Sequence, residues 1–357
     1  MRSMQTADAA PTIAPERLES LVKAFPERSI GLVGDLFLDR YLDIDADLTE
    51  LSIETGLEAY QVSRIRNSPG ALGTVINNLV ALGVGKLVPV AVVGDDGQAY
   101  DLLQRLQAMG VETSQVLRDP KRNTPTYTKP MKQDAGGVWR ELNRLDIRNR
   151  SPMSAETEQE VMRRIDRVFT QCDGLIVLDQ VNEEGWGVVT PGVRDHLARL
   201  AQANPDKLMF VDSRAHIDKF RGGVLKPNLS ECARAVGHAE EPDLAAGAIA
   251  AQTLSNRSRL SLYCTAGAEG ILVVEPGGEP AWARGIRITG PIDIVGAGDS
   301  ATAAIVASLL AGASRYEAAQ VGNLAASITI QQLGTTGTAS PTQLLDRCRE
   351  VQAGVFR

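Results

Sequence analysis

Apolar and polar positions along the chain repeat in two registers, and the switches between them mark the elements. ERLESLVKAF (residues 16–25) carries its apolar residues at helical spacing, and SIGLVGD (29–35) follows as a buried strand ending in a Gly-Asp turn. ALGTVINNLVALG (71–83) and QAYDLLQRLQAMGV (98–111) predict helices on either side of a strand in KLVPVAVVGDD (86–96). Further on, continuous apolar runs at 174–179, 208–213, 222–228, 261–267 and 270–276 predict strands. They alternate with helical segments such as AETEQEVMRRIDRVF (155–169) and VRDHLARLAQ (193–202). Strands without an exposed polar face, alternating with helices, imply a parallel sheet covered on both sides.

Two stretches break this rhythm. Tyr41 to Arg66 is polar and acidic, with short alternations such as EAYQV, and residues 124–147 resemble a hairpin with AGG (135–137) at its turn. They predict a small β-rich lid inserted at about 41–66 and 122–147 into one doubly wound α/β domain spanning 15–357. Residues 1–14, rich in Ala, Pro and Thr, are expected to be a disordered tail.

Composition narrows the function. A net charge of -7, with no long Lys/Arg run, makes nucleic acid an unlikely partner. The four cysteines form no CxxC pair and the three histidines lack zincin spacing, so a disulfide framework or a transition-metal site is not expected. Neither a signal-peptide core nor a run of the ~20 apolar residues that span a bilayer occurs, which predicts a cytoplasmic protein without a membrane partner.

The chemistry concentrates in GPIDIVGAGDSATAAIVASLLAG (290–312). Gly296, Ala297 and Gly298 leave the backbone unobstructed before an evident helix, whose free amides and dipole form a seat for a phosphoryl group. Asp299 inside that seat would repel a merely bound phosphate; its place is explained if it removes a proton from an attacking hydroxyl. A plain Gly-rich turn with an Asp cap is the competing reading of these residues alone.

D-x-x-GAGDS at Asp293–Ser300, before a small-residue helix, resembles the C-terminal signature of the PfkB/ribokinase family of carbohydrate kinases. The resemblance runs through the chain in order. It implies a ribokinase-like fold and transfer of the γ-phosphoryl of ATP to a sugar or sugar-phosphate hydroxyl, with Asp299 as base. Asn228 and Glu231, in LKPNLSE, match the family's Asn-x-x-Glu element, which orders Mg²⁺ and the phosphates, Glu231 usually through water. Asn228 as a simple helix cap is the alternative. Thr265, Gly267 and Gly270, in CTAGAEG, resemble the nucleotide turn, and Asn323 matches a position flanking adenine. K⁺ stays open as a further cofactor.

For the acceptor, Asp35 and Asp39 in VGDLFLDRY match the acidic positions that meet sugar hydroxyls, and Gly70 and Asn78 match the acceptor loop. That loop departs from the family at Ala71, where a second Gly is usual, and at Thr74, where a sugar-contacting Asn is usual. GDLFLDRY, Arg144–Asp146, the 211–231 run and GTTG (334–337) look most like the heptose 7-phosphate kinases. LDQVNEEGWG (178–187) departs from them, keeping Asp179 but lacking the Tyr and Lys of their Ser-Asp-Tyr-x-Lys-Gly segment. A homodimer through lid strands is expected. The alternative function is a non-catalytic sugar or nucleotide sensor on the same fold. A Rossmann dehydrogenase is set aside because no GxGxxG opens the first βα unit.

Overall fold

The computed structural model describes residues 12–133, 136–238 and 241–356, so most of the expected N-terminal tail, and Ala135 of the expected AGG turn, lie outside the described residues. The described residues fold around two main sheets, beside which Val92–Val93 and Leu117–Arg118 form a two-stranded pair. The larger has eight strands; from one edge they are Lys86–Val90, Ser29–Gly34, Gly174–Asp179, Leu208–Ser213, Val224–Leu225, Leu262–Thr265, Gly270–Val274 and Ala281–Arg284. The first six pair in parallel and the last two antiparallel.

Side chains alternate across this sheet as the pleat requires. Ile176 and Leu178 face a core closed by the helices Leu72–Ala81, Ala297–Leu310 and Arg315–Thr329, while Leu175 and Val177 face a second core under Ala155–Gln171, Pro191–Ala203 and Leu244–Ser258. Both faces are dry, which is why these strands read as unbroken apolar runs. The strand expected from GGVLKPN is only two residues long, Val224–Leu225, although the Pro227 carbonyl still accepts from the Thr265 amide at 2.9 Å and Asn228 bridges to Thr265.

The smaller sheet is a hairpin of Leu36–Leu51 and Glu58–Ala71, joined in parallel by Thr126–Gln133, which pairs in turn with Trp139–Glu141 and Leu145–Ile147. The hairpin is longer at both ends than the 41–66 stretch picked out by its polarity. Its base carries buried Leu36, Phe37 and Leu38, so the apolar pattern there belongs to the large core rather than to a solvated ribbon. Among the described residues no helix is long and apolar enough to cross a membrane.

Candidate active site

Three strands of the large sheet end beside one another at Asp212, Lys226 and Thr265, and helices start just beyond them. Ligand sites of open α/β sheets lie at such carboxyl ends. Here they frame a cleft of about 490 Å³ that includes Asp212, Lys226, Asn228, Glu231, Gly298 and Asn323 in its wall.

Its phosphate end is the start of helix Ala297–Leu310. Gly296 caps that helix at φ +83°, in the left-handed region where a side chain is costly, and no side chain covers the first amides. Ala297 donates its N–H back to Ile294 at 3.2 Å and Ser300 donates to Gly296 at 2.9 Å, so the open donors are the amides of Gly298 and Asp299. A Cβ on Gly298 would stand 3.7 Å from Lys226 Nζ, which puts an ammonium beside the open helix end.

Asp299 lies in the first helical turn. Burial, then the nearby Asp212 carboxylate, push its pKa up to about 7, against the pull of Lys226 and Arg214. Such a carboxyl exchanges protons near neutral pH. Lys226, only 4% exposed, forms an ion pair with Asp212 at 2.8 Å. Burial acts to lower its pKa, but Asp212 outweighs this and holds the ammonium in its charged form. Thr302 donates to the same Asp212 carboxylate at 3.3 Å. Neither Asp212 nor Lys226 stood out as a functional residue in the sequence; the signal was present as a charge at the end of each of two buried strands, LMFVDS and GGVLKPN.

Asn228 and Glu231 form a reciprocal capping box: Asn228 Oδ1 accepts from the Glu231 amide at 2.8 Å, and Glu231 Oε2 accepts from the Asn228 amide at 2.8 Å. Asn228 therefore caps its helix and also lines the cleft. Burial, followed by the Asp212 charge, raises the Glu231 pKa, so this carboxylate faces the cleft beside another negative group. Among the described residues no three acidic, His or Cys side chains converge as a metal cage. One carboxylate at the phosphate end suits Mg²⁺, which keeps waters and leans on substrate phosphates.

At the other end of the cleft, Thr265, Gly267 and Gly270 form the turn between two strands. Gly267 and Gly270 both have positive φ, and a Cβ on Gly270 would meet the Ala283 carbonyl at 2.3 Å. Asn323 lines the cleft too, yet its amide donates to the carbonyls of Ala283 at 2.9 Å and Arg284 at 3.1 Å. It pins the edge strand to its helix rather than presenting that amide to a base.

A second cavity, about 280 Å³, lies between the two sheets. Of the five residues expected at the acceptor, Asp35 alone is in its wall. The Asp35 carboxylate is spent on backbone: it accepts from the amides of Gln180 at 2.9 Å, Val181 at 3.2 Å and Val188 at 2.8 Å. Asp39 is held by Lys129 at 3.5 Å, and a Cβ on Gly70 would fall 2.5 Å from the Asp39 carboxylate. Gly70 is thus a clearance for Asp39. Asn78, 2% exposed, donates to the Thr74 carbonyl within its own helix. The Thr74 methyl stands 3.5 Å from where a Gly296 side chain would begin, so that helix packs directly on the GAGD turn. Arg122, Arg148, Arg150 and Arg214 surround the cavity, and none of them was singled out in the sequence.

Residues 220–343 match the model of the pfkB family of carbohydrate kinases. That stretch contains the cleft residues Lys226, Glu231 and Asn323 together with the GAGD turn. This segment is what the chain shares with the pfkB carbohydrate kinases. The bifunctional protein HldE of Desulfatibacillum aliphaticivorans is 31% identical to it over 88% of the chain and 62% of the relative. The HldE protein of Pelobacter propionicus is 31% identical over 92% and 65%. The chain therefore spans less than two thirds of the length of these curated relatives. Among solved structures, the chain superposes on a ribokinase from Arabidopsis thaliana complexed with ribose and ATP, with a TM-score of 0.64 and 16% identity, covering 90% of this chain and 99% of that one. Phosphofructokinase-2 from Escherichia coli with substrates and products gives 0.66 and 18%, covering 91% and 99%. At these identities the likeness is one of fold, and it is ribokinase-like.

Proposed function

We propose that this chain transfers the γ-phosphoryl group of ATP to a hydroxyl of a sugar that already carries a phosphate. The observation that carries the reading is Asp299 in the first turn of an uncapped helix, beside the buried Lys226 ammonium and at the end of a nucleotide-sized cleft. In that position Asp299 takes the proton of the attacking hydroxyl. The amides of Gly298 and Asp299, with Lys226, offset the charge that develops on the transferred group. Asn228 and Glu231 are the residues that would hold Mg²⁺, which when bound adds positive charge at the donor phosphates.

The phosphate on the acceptor is supported by the four arginines around the inter-sheet cavity, since guanidinium forks suit phosphate oxygens. The likeness of the sequence to heptose 7-phosphate kinases and its match to HldE proteins agree with this. The smaller sheet acts as a lid over that acceptor and keeps water from competing with it. Its outer strand, Glu58–Ala71, is 14 residues long and has no neighbour on one side among the described residues, and Leu48, Leu51, Leu57 and Ile65 on the hairpin are exposed. An edge of that kind is covered by a second copy in a homodimer.

The test is ADP release from Mg-ATP across a panel of sugars and sugar phosphates, with Asp299→Asn as the blank. Acceptor-dependent turnover that disappears in the variant is expected. ATP binding without turnover on any acceptor would favour a sensor instead.

A further inference from the structure

The residues from Gln180 to Val188 form the wall of the inter-sheet cavity at six positions besides Gln180: Val181, Asn182, Glu183, Trp186, Gly187 and Val188. A surface loop of this kind is ordinarily free to shift. This one is tied down on every side. Asp35, 4% exposed, seats three of its amides, at both ends of the loop. Arg122 donates to the Trp186 carbonyl. The Met153 amide donates to Gly185 at 2.9 Å, and Glu184 is paired with Arg194 at 2.5 Å and Lys219 at 2.9 Å.

Gly187 shows how close the fit is. A Cβ there would lie 2.7 Å from Asp35 Oδ1 and 3.0 Å from the Val181 side chain. Any other residue would push the loop off its carboxylate. Replacing a carboxylate that holds several amides frees all of them together, because a neutral side chain cannot accept as many hydrogen bonds.

We infer that Asp35 is a positioning residue, which sets acceptor specificity by fixing the Gln180–Val188 loop as a preformed wall, with Asn182, Glu183 and Trp186 turned to the acceptor. It does not serve by binding the sugar itself. This rests on the kinase reading above. The recognised part of the acceptor is polar, hydroxyl-bearing and flanked by the arginines, and Trp186 supplies an apolar face for a ring.

The experiment compares Asp35→Ala and Gly187→Ala with the parent chain by steady-state kinetics and by acrylamide quenching of Trp186. Quenching is read in a chain whose other two tryptophans, Trp139 and Trp282, are Phe. Asp35→Ala is expected to raise the acceptor KM by about 10-fold or more, with kcat within about 3-fold and the ATP KM within about 2-fold. Trp186 should become more accessible to quencher. Gly187→Ala, which keeps Asp35 and drives a methyl into the clamp, should reproduce the split, and it stands in if Asp35→Ala does not fold.

A loss of about 1,000-fold in kcat at unchanged acceptor KM would place Asp35 at the reacting atoms and overturn the inference. So would parental kinetics in both variants, or unchanged quenching in Asp35→Ala. If the parent turns over no acceptor, the kinase reading falls and the specificity role with it; quenching still reports whether Asp35 holds the loop.

Discussion

The donor cleft and the acceptor cavity are neighbours built in opposite ways. Most of the donor cleft comes from the stretch between Asp212 and Ile330, where each functional residue sits at the end of a strand or the start of a helix. The acceptor cavity draws on residues 35–37, 122–127, 148–153, 180–188 and 214, mostly in loops and in the smaller sheet. The cleft is fixed by backbone geometry, which tolerates little substitution. The cavity is assembled from separate segments, with one wall, Gln180–Val188, held by its backbone amides on Asp35. On the proposed reading, the transfer chemistry lies in the first and acceptor selectivity in the second.

The sharpest way to break this contrast is at the base. Asp299→Asn should lower kcat by about 1,000-fold and leave ATP binding in place, measured by ADP release and by nucleotide titration. If turnover survives, the helix end is a binding seat and no more. On the acceptor side, Arg150→Ala and Arg214→Ala should each raise the KM for a phosphorylated acceptor by about 10- to 100-fold while the ATP KM holds. Loss of both affinities together would dissolve the division between the two regions.

A smaller effect is expected from pH. The Asp299 carboxyl has a pKa pushed up to about 7 and must be ionised to accept a proton, so kcat/KM should climb as pH rises through about 7 and then level off. The smallest concerns stability. A carboxyl whose pKa is raised in the folded state binds its proton more tightly folded than unfolded, so its contribution is intact below about pH 4 and is lost as pH rises toward about 7. Asp299→Asn removes that titration. Its Tm should exceed the parent's by a few degrees at pH 8 and match it near pH 4, in a thermal melt at both values.

The same contrast explains what could be read from the chain alone. GAGD, Asn228 with Glu231, and the Thr265–Gly270 turn are local motifs legible without coordinates, and one cleft is lined by Ala297 and Gly298 of the first, by Asn228 and Glu231, and by Thr265, Gly267 and Gly270. Lys226 and Asp212 were harder, because a charge beside an apolar run looks like an ordinary strand end until the two prove to be paired. The arginines of the cavity were invisible for a related reason. Arg122, Arg148, Arg150 and Arg214 stand in polar segments where a charge reads as a solvated face, and only the folding of the smaller sheet against the larger collects them. Asp35 was noticed for its charge and read as a partner for sugar hydroxyls. Its three amide bonds come from residues some 145 to 153 positions away, a distance across which sequence pattern carries no information.

The contact of Thr74 with the Gly296 turn bears on how such a chain can diversify. One helix abuts the turn proposed to receive the phosphoryl group, so on that reading a substitution that tilts it should disturb turnover of every acceptor alike. The Gln180–Val188 loop, by contrast, has anchors, Asp35 and Arg122, that are not part of the donor cleft's wall, so on the proposed reading a change there alters acceptor preference and spares the transfer step.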